Sequence, residues 1–482
     1  MRSATAAVAL LGLLALAAAI FALDRLQIVP WEYVLGILAA AAVCAAVIYG
    51  LVKALGVTLA RAPARIPRER TFSVHSPERF KSVIDAYNSS SSTDVPEMVD
   101  YVVHQAAGLN ASDIHLVPYR DFLSVRYRID GILTDMAHVA PHLRESVTNR
   151  LKVLSEVVTY VHDKPQDGRF GVDVGGRRMD IRIAFMPTLH GERVVMRILD
   201  RAEVEFGLVN LGFTGTQLDI FGEIISRPQG MVILTGPTGS GKTTTIYCAL
   251  RTILTRNQMA CSIYTLEDPI EYDLLNINQT QIDEAQGFTF EQGLKTMLRQ
   301  DPDVIMVGEI RDIETARIAI QAGMTGHLII TTVHAKGAAG VFMRLVEMGL
   351  DPHSVASAVT AVVSQRLVRV LCPHCKRVEP ATPGQEAKLG RNLAGVEFYG
   401  PAGCPKCGMK GYLGRHGVFE ILAVNEPVRK LIVERASSER IHREFLDHGV
   451  RTLLENGIDL ARRGETSLDE IIRTLPLRSE FD

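Results

Sequence analysis

A glycine-rich segment at residues 236–243 has the residue types and spacing of a nucleotide-binding loop. Its sequence, Gly-Pro-Thr-Gly-Ser-Gly-Lys-Thr, fits the pattern G-x-x-x-x-G-K-[ST] in full. Glycines let backbone N–H groups close around phosphates. Lys242 is expected to contact the β- and γ-phosphates, and Thr243 to bind Mg²⁺. The residues predicted to bind ATP are Gly236, Pro237, Thr238, Gly239, Ser240, Gly241, Lys242, Thr243 and Thr244.

The segments on either side of this loop support the prediction. Residues 231–235 form an apolar run typical of a buried strand, and residues 244–254 have the pattern of a helix. The start of such a helix presents free N–H donors to the same anion. A chance glycine-rich turn would lack this strand–loop–helix context.

A cluster of acids follows a second predicted strand, at residues 266–271. Three carboxylates at a strand end are costly to bury unless a cation or water accompanies them. ATP hydrolysis needs a carboxylate that orients the attacking water, and Glu267 is the predicted residue for this role. An acidic surface turn is the alternative interpretation.

Residues 301–309 form an apolar strand that ends in an acid and resembles a Walker B element. Gly308 stands where an aspartate is usual. We expect Glu309 to act on the Mg²⁺ shell, directly or through water. The competing assignment makes Glu309 the water-activating base instead of Glu267.

Two histidines bracket another predicted strand, at residues 328–332. A lone histidine is usually structural, but His327 and His334 flank a strand beside the predicted phosphate site. They could therefore sense the γ-phosphate, and His334, at the end of the strand, is the better candidate.

Two C-x-x-C pairs lie in the last third of the chain. The other three of the seven cysteines are scattered, so the pattern is not that of a secreted disulfide framework. Four thiolates make a closed, structural zinc site, and a redox pair is the alternative. His374 is not expected to be a ligand, since four cysteines suffice. The predicted zinc ligands are Cys372, Cys375, Cys404 and Cys407.

The order of predicted elements divides the 482 residues into several parts. Residues 93–205 mix helix and strand signals, as a small α+β domain does, and residues 206–366 alternate buried strands with helices. That second pattern predicts an α/β domain with helices on both faces of its sheet. Residues 367–420 form the cysteine module, and residues 421–482 are predicted to be helical. The net charge of −2 argues against a whole-chain nucleic-acid binder.

The N-terminal part differs in kind from the rest. Residues 4–23 and 33–52 are uncharged and apolar, and each run is long enough to span a bilayer as a helix. They are interpreted as a transmembrane hairpin within residues 1–60; a cleaved signal peptide is the alternative for the first run. Basic residues after position 53 place the remainder in the cytoplasm by the positive-inside rule. Residues 61–92 are predicted to be a linker, whose basic part could also rest on anionic membrane lipid.

The chain resembles the secretion ATPases of type II secretion systems and the extension ATPases of type IV pili. The resemblance runs from about residue 93 to the C-terminus. Besides the phosphate loop, the segments that carry it are residues 111–116, 127–131, 166–170, 190–197, 266–271, 299–312, 325–334, 360–369 and 464–468.

This resemblance implies a RecA-like P-loop ATPase domain preceded by a small, PAS-like α+β domain. It also implies a homo-hexamer with each ATP site between the two domains of one subunit. Arg182 and Arg197 match the family's phosphate-contacting arginines. The implied partner is a polytopic platform protein of the inner membrane, with the ATPase domains facing the cytoplasm, and nucleic acid is an unlikely partner.

Within this family, the tetracysteine module favours secretion or pilus extension over pilus retraction. The membrane hairpin is a departure, because it occupies the place of the soluble docking domain that family members normally carry. Two alternatives of other classes are a DNA uptake or transfer motor, and a non-catalytic scaffold whose assembly depends on nucleotide binding alone.

Overall fold

The protein is described by a computed structural model that covers residues 76–90, 92–200 and 207–477. The predicted transmembrane hairpin of residues 1–60 lies outside the described residues. Among the helices that these ranges contain, none has both the length and the apolar character needed to cross a membrane.

The first domain is an antiparallel sheet covered on one face by helices. Its strands are arranged in the order β3-β2-β1-β6-β5-β4, so β3 and β4 are the two edges. The elements are α1 (Pro77–Ser89), α2 (Val95–Gly108), β1 (Asp113–Pro118), β2 (Leu123–Ile129), β3 (Ile132–Val139), α3 (Arg144–Leu154), β4 (Gln166–Val174), β5 (Arg177–Thr188) and β6 (Gly191–Asp200).

Helix α1 lies in the range that the sequence analysis assigns to a linker. Ser76 caps this helix, and its Phe80 and Ile84 are fully buried in the core of the first domain. The Phe80 ring stacks on Tyr101 with centroids 5.4 Å apart. The flexible appearance of residues 88–92 hides this helix, and the first domain therefore begins earlier than position 93.

The second domain is built on a sheet with the order β15-β12-β7-β11-β10-β8-β9. Its first elements are α4 (Gly215–Ile224), β7 (Gly230–Thr235), α5 (Lys242–Arg256), β8 (Ile263–Glu267), β9 (Asn278–Gln281), α6 (Phe290–Met297), β10 (Val304–Val307), α7 (Ile313–Met324), β11 (Leu328–Thr332), α8 (Gly340–Glu347), α9 (Pro352–Ala358) and β12 (Val359–Leu371). Every pair of neighbouring strands is parallel except β12 and β15.

The remaining elements form the cysteine module and the C-terminal helices. They are β13 (Arg377–Val378), α10 (Pro383–Leu389), β14 (Tyr399–Gly400), β15 (Tyr412–Ala423), α11 (Glu426–Val433), α12 (Ser438–Asp447), α13 (Leu453–Arg462) and α14 (Leu468–Thr474). Short 3-10 turns occur at Pro141–Leu143, Leu208–Asn210, Glu284–Gln286 and Pro405–Cys407.

The large sheet has an apolar core on each face. Strand β7 shows why, because Met231 and Ile233 belong to one core and Val232 and Leu234 to the other. All four side chains are fully buried. Such continuous apolar strands are typical of parallel sheets with helices on both sides, and the predicted α/β organisation is confirmed.

The cysteine module is an insertion between two strands of this sheet. Strand β12 continues to Leu371, directly before Cys372, and β15 returns antiparallel to it from Tyr412. The sheet of the second domain therefore extends past residue 366, where the sequence analysis ends it. The antiparallel edge strand of this sheet is β15. The predicted boundaries had divided its residues between the cysteine module (367–420) and the C-terminal helical region (421–482).

Candidate functional site

The predicted phosphate loop connects β7 to α5 at the carboxyl end of the central strand. Gly236, Gly239 and Gly241 have φ angles of 148°, 77° and 86°, a region that favours glycine. A Cβ atom on Gly236 would also lie 2.5 Å from the carbonyl oxygen of Gln365. Glycine at this position is therefore required both by backbone conformation and by close approach of β12.

The other loop residues take up two positions. Pro237, Thr238 and Gly239 are exposed at the tip, whereas Ser240 is buried and its hydroxyl has no hydrogen-bond partner within the described chain. Thr243 and Thr244 are half-buried in the first turn of α5. The loop thus presents an exposed tip and a row of hydroxyl and N–H groups below it.

Lys242, the first residue of α5, folds back over the loop. Its Nζ donates to the carbonyl oxygens of Gly236 (2.9 Å) and Pro237 (3.2 Å). Burial lowers the pKa of this ammonium, and the nearby Glu309 carboxylate opposes the shift. The lysine is held at the loop by two neutral acceptors, which phosphate oxygens can replace.

Gln365 of β12 is a contact of this loop that the sequence analysis did not identify. Its Oε1 accepts a hydrogen bond of 2.9 Å from the Thr245 hydroxyl on α5. Its Nε2 lies 2.9 Å from where a Cβ on Gly241 would stand. Gln365 lies within residues 360–369, one of the segments that carry the family resemblance. This was the signal in the sequence that could have identified it.

Glu309 follows β10, and its carboxylate favours the charged form of Lys242, because it opposes the lowering of the lysine pKa by burial. It accepts a hydrogen bond from Arg311, and its Oε2 lies 3.8 Å from the His334 Nε2. These contacts bring Glu309 and His334 together at the ends of β10 and β11, and the assignment of roles to them stays a prediction.

The glycine that replaces the usual aspartate before Glu309 has a steric reason. A Cβ on Gly308 would lie 3.1 Å from the Leu266 carbonyl oxygen, which also accepts the Gly308 N–H at 2.8 Å. The Thr332 hydroxyl donates to the Gly308 carbonyl at 2.8 Å. The backbone is held between β8 and β11, and a side chain at 308 would crowd β8.

Glu267, the last residue of β8, is buried, with 2% of its surface exposed. Its Oε1 accepts from the Thr265 hydroxyl (2.7 Å) and the Gln279 amide (2.9 Å), and its Oε2 accepts from the Tyr247 hydroxyl. Both carboxylate oxygens are therefore used by protein donors.

The two histidines lie at opposite ends of β11. His334 is exposed beside Glu309, whereas the His327 ring contacts the Ala322 carbonyl oxygen at 3.2 Å. This contact belongs to the end of helix α7. His334 therefore lies beside Glu309, whereas His327 lies at the other end of β11 against α7.

The two predicted arginines lie side by side on the first domain. Arg182 of β5 is in register with Arg197 of β6. The Arg182 guanidinium donates to the Ile270 carbonyl oxygen of the second domain at 3.1 Å. The Arg197 Nε lies 3.2 Å from the Asp113 carboxylate on β1. Arg182 thus reaches across to the loop that follows Glu267, while Arg197 remains within its own sheet.

The four predicted zinc ligands meet at one point. Their sulfurs all lie within 4.8 Å of one another, and Cys372–Cys404, Cys375–Cys407 and Cys404–Cys407 are each 3.8 Å apart. A tetrahedral ion with Zn–S bonds of about 2.3 Å places its sulfurs at about this separation.

Backbone groups also favour a thiolate in this cluster. The N–H groups of Cys404 and Gly411 each donate to the Cys407 sulfur at 3.2 Å. Burial by itself raises the pKa of Cys407, but these two hydrogen bonds, together with those from the Cys404 and Cys375 thiols, lower it to about 6. The donor set therefore fits a structural Zn²⁺ ion.

Comparisons with known proteins show similarity over most of the chain. The family model described as "Type II/IV secretion system protein" matches residues 88–473. The chain is 40% identical over 390 residues to the type II secretion system protein E of Aeromonas hydrophila, covering 81% of this chain and 77% of that protein.

Two further relatives extend the comparison. The type IV pilus assembly ATPase PilB of Myxococcus xanthus is 37% identical over 402 residues, covering 82% of this chain and 70% of that protein. Among solved structures, the pilus retraction motor PilT with bound ADP is similar, with a TM-score of 0.53 and 25% identity. That match covers 78% of this chain and 96% of the PilT chain.

Proposed function

Because the chain belongs to the family of type II/IV secretion system proteins, we propose that it is an ATP-hydrolysing motor of type II secretion or type IV pilus extension. The single observation that carries this proposal is the complete phosphate loop between β7 and α5, at which Lys242 is held by the carbonyl oxygens of Gly236 and Pro237. In this proposal the second domain is a RecA-like ATPase domain, and the first is its smaller, PAS-like companion.

The phosphate loop holds the triphosphate, and residues 236–244 are its binding residues. Lys242 moves from the carbonyl oxygens of Gly236 and Pro237 to the β- and γ-phosphates, where its charge is better satisfied. Thr243 and Glu309 are the residues that would hold Mg²⁺, which neutralises charge on the phosphates when bound.

Glu309 is also proposed to orient the attacking water. The sequence analysis gave this role to Glu267, but both oxygens of that carboxylate already accept hydrogen bonds from protein donors. Glu309 is less enclosed, since 21% of its side chain is exposed. His334 faces the same carboxylate and is proposed to respond to the γ-phosphate.

Arg182 and Arg197 are proposed to neutralise negative charge on the transferred phosphoryl group. Arg182 already lies at the junction of the two domains through its contact with Ile270. A small rotation of the first domain would bring both guanidinium groups to the nucleotide. Closure of the two domains around ATP, and opening after hydrolysis, is the motion we propose for the motor.

The tetracysteine cluster is proposed to hold a structural zinc ion, on the distances and N–H donors described above. This module favours secretion or pilus extension over retraction. The proposed partners are five further copies of the chain in a hexameric ring and a polytopic platform protein of the inner membrane.

Residues 1–60 are proposed to tether the motor to the inner membrane through a transmembrane hairpin, with the ATPase domains on the cytoplasmic side. Two uncharged runs of spanning length support this proposal. In cells that express either the full chain or a version without residues 1–60, fractionation should find only the full chain in the membrane. Equal membrane association of both versions would refute the tether.

The motor proposal is tested by ATP turnover of the purified full chain. Wild type should release phosphate from ATP, Lys242→Ala should lose turnover, and the exposed-lysine control Lys430→Ala should retain it. Turnover that requires added DNA would favour a DNA uptake or transfer motor. ATP binding without hydrolysis would favour a nucleotide-dependent scaffold, and normal turnover by Lys242→Ala would refute the site.

A further inference from the structure

A buried hydrogen-bond network joins the helix of the phosphate loop to the edge of the large sheet. Tyr247 lies on α5 four residues after Thr243, so both side chains lie on the same side of the helix. The Tyr247 side chain is fully buried, and its hydroxyl donates to the Glu267 Oε2. A shift of α5 is therefore transmitted directly to the end of β8.

Gln279 on the edge strand β9 completes the network from the other side. Its Nε2 donates to the Glu267 Oε1 at 2.9 Å and to the Tyr272 carbonyl oxygen at 3.2 Å. Its Oε1 accepts from the Leu274 N–H at 2.7 Å. One amide side chain thus ties the buried carboxylate to the loop of residues 268–277.

The same loop is packed directly against the helix side chain. The Tyr247 and Tyr272 rings meet edge to face, with centroids 4.7 Å apart and planes at 83°. Such an arrangement is favourable for aromatic pairs. Tyr247 therefore holds the 268–277 loop by ring packing, and the Gln279 side chain holds it by hydrogen bonds to the loop backbone.

The other side of the 268–277 loop contacts the first domain. The Ile270 carbonyl oxygen accepts the hydrogen bond from Arg182, and the Ile270 N–H points to the Gln281 Oε1 at 3.4 Å. A continuous set of contacts thus runs from the phosphate loop, through α5 and the 268–277 loop, to an arginine of the other domain.

We propose that Tyr247 and Gln279 are positioning residues, which fix the Glu267 carboxylate and the 268–277 loop so that Arg182 is aligned for phosphoryl transfer. This inference rests on the proposed function of the chain as an ATPase. Neither side chain is assigned contact with the nucleotide. The two residues act through the loop, and their loss lowers the rate of hydrolysis rather than the affinity for ATP.

The chemistry of the network distinguishes it from ordinary core packing. A carboxylate buried at the end of a strand needs donors for both oxygens, and here three different side chains supply them. Two of the donors come from α5, which begins at the phosphate loop, and from the edge strand β9. An apolar side chain would fill the same space without fixing the direction of the loop.

The test uses steady-state ATP hydrolysis by the full chain with Tyr247→Phe and Gln279→Met. Tyr247→Phe removes one hydroxyl and keeps the ring, and Gln279→Met keeps the length of the side chain without its amide. Each variant should lower kcat about tenfold, with the KM for ATP changed by less than about threefold, as expected when one buried hydrogen bond to a charged group is lost.

Coupling to Arg182 is measured by combining each variant with Arg182→Ala. If the network acts through this arginine, the second substitution should change kcat by less than about twofold in the Arg182→Ala background. The proposal is overturned if each variant lowers kcat by the same factor in the Arg182→Ala background as in wild type. It is also overturned if the kcat of Tyr247→Phe is within about twofold of that of wild type.

The matched control is Tyr127→Phe in the first domain. Tyr127 is also fully buried and donates its hydroxyl to a carbonyl oxygen, that of Val102, at 2.7 Å. This variant should lose stability without losing kcat, and an equal loss of kcat in Tyr127→Phe would show that the effect is general destabilisation.

Failure of this inference is distinct from failure of the proposed function. If wild type hydrolyses ATP and the variants have the same kcat, only the positioning role is refuted. If wild type does not hydrolyse ATP, the function and this inference fall together. Should Tyr247→Phe fold poorly, the partly exposed Gln279→Met decides the question by the same kcat criterion.

Discussion

Arg182 and Arg197 stand directly opposite each other on neighbouring strands β5 and β6 of the first domain. Arg169 of β4 is opposite Arg182 in turn, so three arginines form one row across the sheet. Like charges in facing positions are destabilising. Asp113 compensates Arg197 at one end of the row. A bound anion would relieve the repulsion further, which is the arrangement expected of a surface that receives phosphates.

Arg182→Ala should lower kcat for ATP hydrolysis by at least about tenfold, because the guanidinium group no longer stabilises the transferred phosphoryl. Arg182→Lys should recover only part of this loss, since lysine offers a point charge in place of the planar fork. Steady-state kinetics of the full chain measure both. Arg120→Ala, at an exposed loop position, is the control, and a kcat for Arg182→Ala equal to that of this control would contradict the prediction.

Glu309→Gln should abolish turnover while ATP still binds, because the amide preserves the shape but cannot orient water or hold Mg²⁺ as a carboxylate does. Glu267→Gln should retain part of its turnover, since its effect is exerted through the 268–277 loop. Phosphate release and binding of a fluorescent ATP analogue separate the two steps. If Glu267→Gln is the inactive variant and Glu309→Gln is not, the roles are reversed.

Metal removal should unfold the cysteine module before the rest of the chain. We expect one zinc per chain by elemental analysis, and Cys404→Ser should lose it. Backbone hydrogen exchange should then increase within residues 372–411, since the thiolate bonds no longer close the module. Cys261→Ser, outside the cluster, should keep the metal. A metal content unchanged by Cys404→Ser would remove the zinc assignment.

Glu420 of β15 makes stability depend on pH. Burial raises the pKa of this carboxyl to about 7, although the Leu453 N–H bond opposes the shift. A carboxyl with a raised pKa in the folded state stabilises the protein below its unfolded pKa and loses that contribution as pH rises through the folded pKa. The stability contribution is therefore lost between about pH 4.5 and 7.

Glu420→Gln should consequently be more stable than wild type above pH 7, by about 1–3 kcal/mol, and the difference should shrink towards pH 5. Denaturant unfolding at each pH measures it. The neighbouring His442, with Nδ1 3.9 Å from the Glu420 Oε1, is present in both proteins. The exposed-residue control Glu223→Gln should show no such trend, and a pH-independent difference for Glu420→Gln would contradict the prediction.

Local patterns predicted the strands and the phosphate loop because both are encoded within short segments. Strands β7, β8, β10 and β11 are short runs rich in apolar and β-branched residues, since each strand is buried almost throughout. Strand β9 was missed because its sequence, Asn-Gln-Thr-Gln, is polar, which a parallel edge strand allows. Helix α1 was missed because the serine-rich sequence of residues 88–92 is typical of a linker.

The sequence alone could not show whether Glu267 or Glu309 is the better candidate for orienting water. The two acids differ in their contacts with residues that are distant in the sequence. Tyr247 precedes Glu267 by 20 residues and Gln279 follows it by 12, yet both fill its carboxylate oxygens. Glu309, in contrast, is 21% exposed, and its contacts with Arg311 and His334 lie at the end of β10. In the same way, Gln365 reaches the phosphate loop solely through the pairing of β12 with β7.

Strand β12 has a mechanical consequence. It carries Gln365, which contacts the helix of the phosphate loop, and it ends directly before Cys372. These two residues are separated by roughly 20 Å of extended chain. Because β12 is also paired with β7 on one side and β15 on the other, the cysteine module is joined to the phosphate loop by a strand of the sheet and not by a free linker.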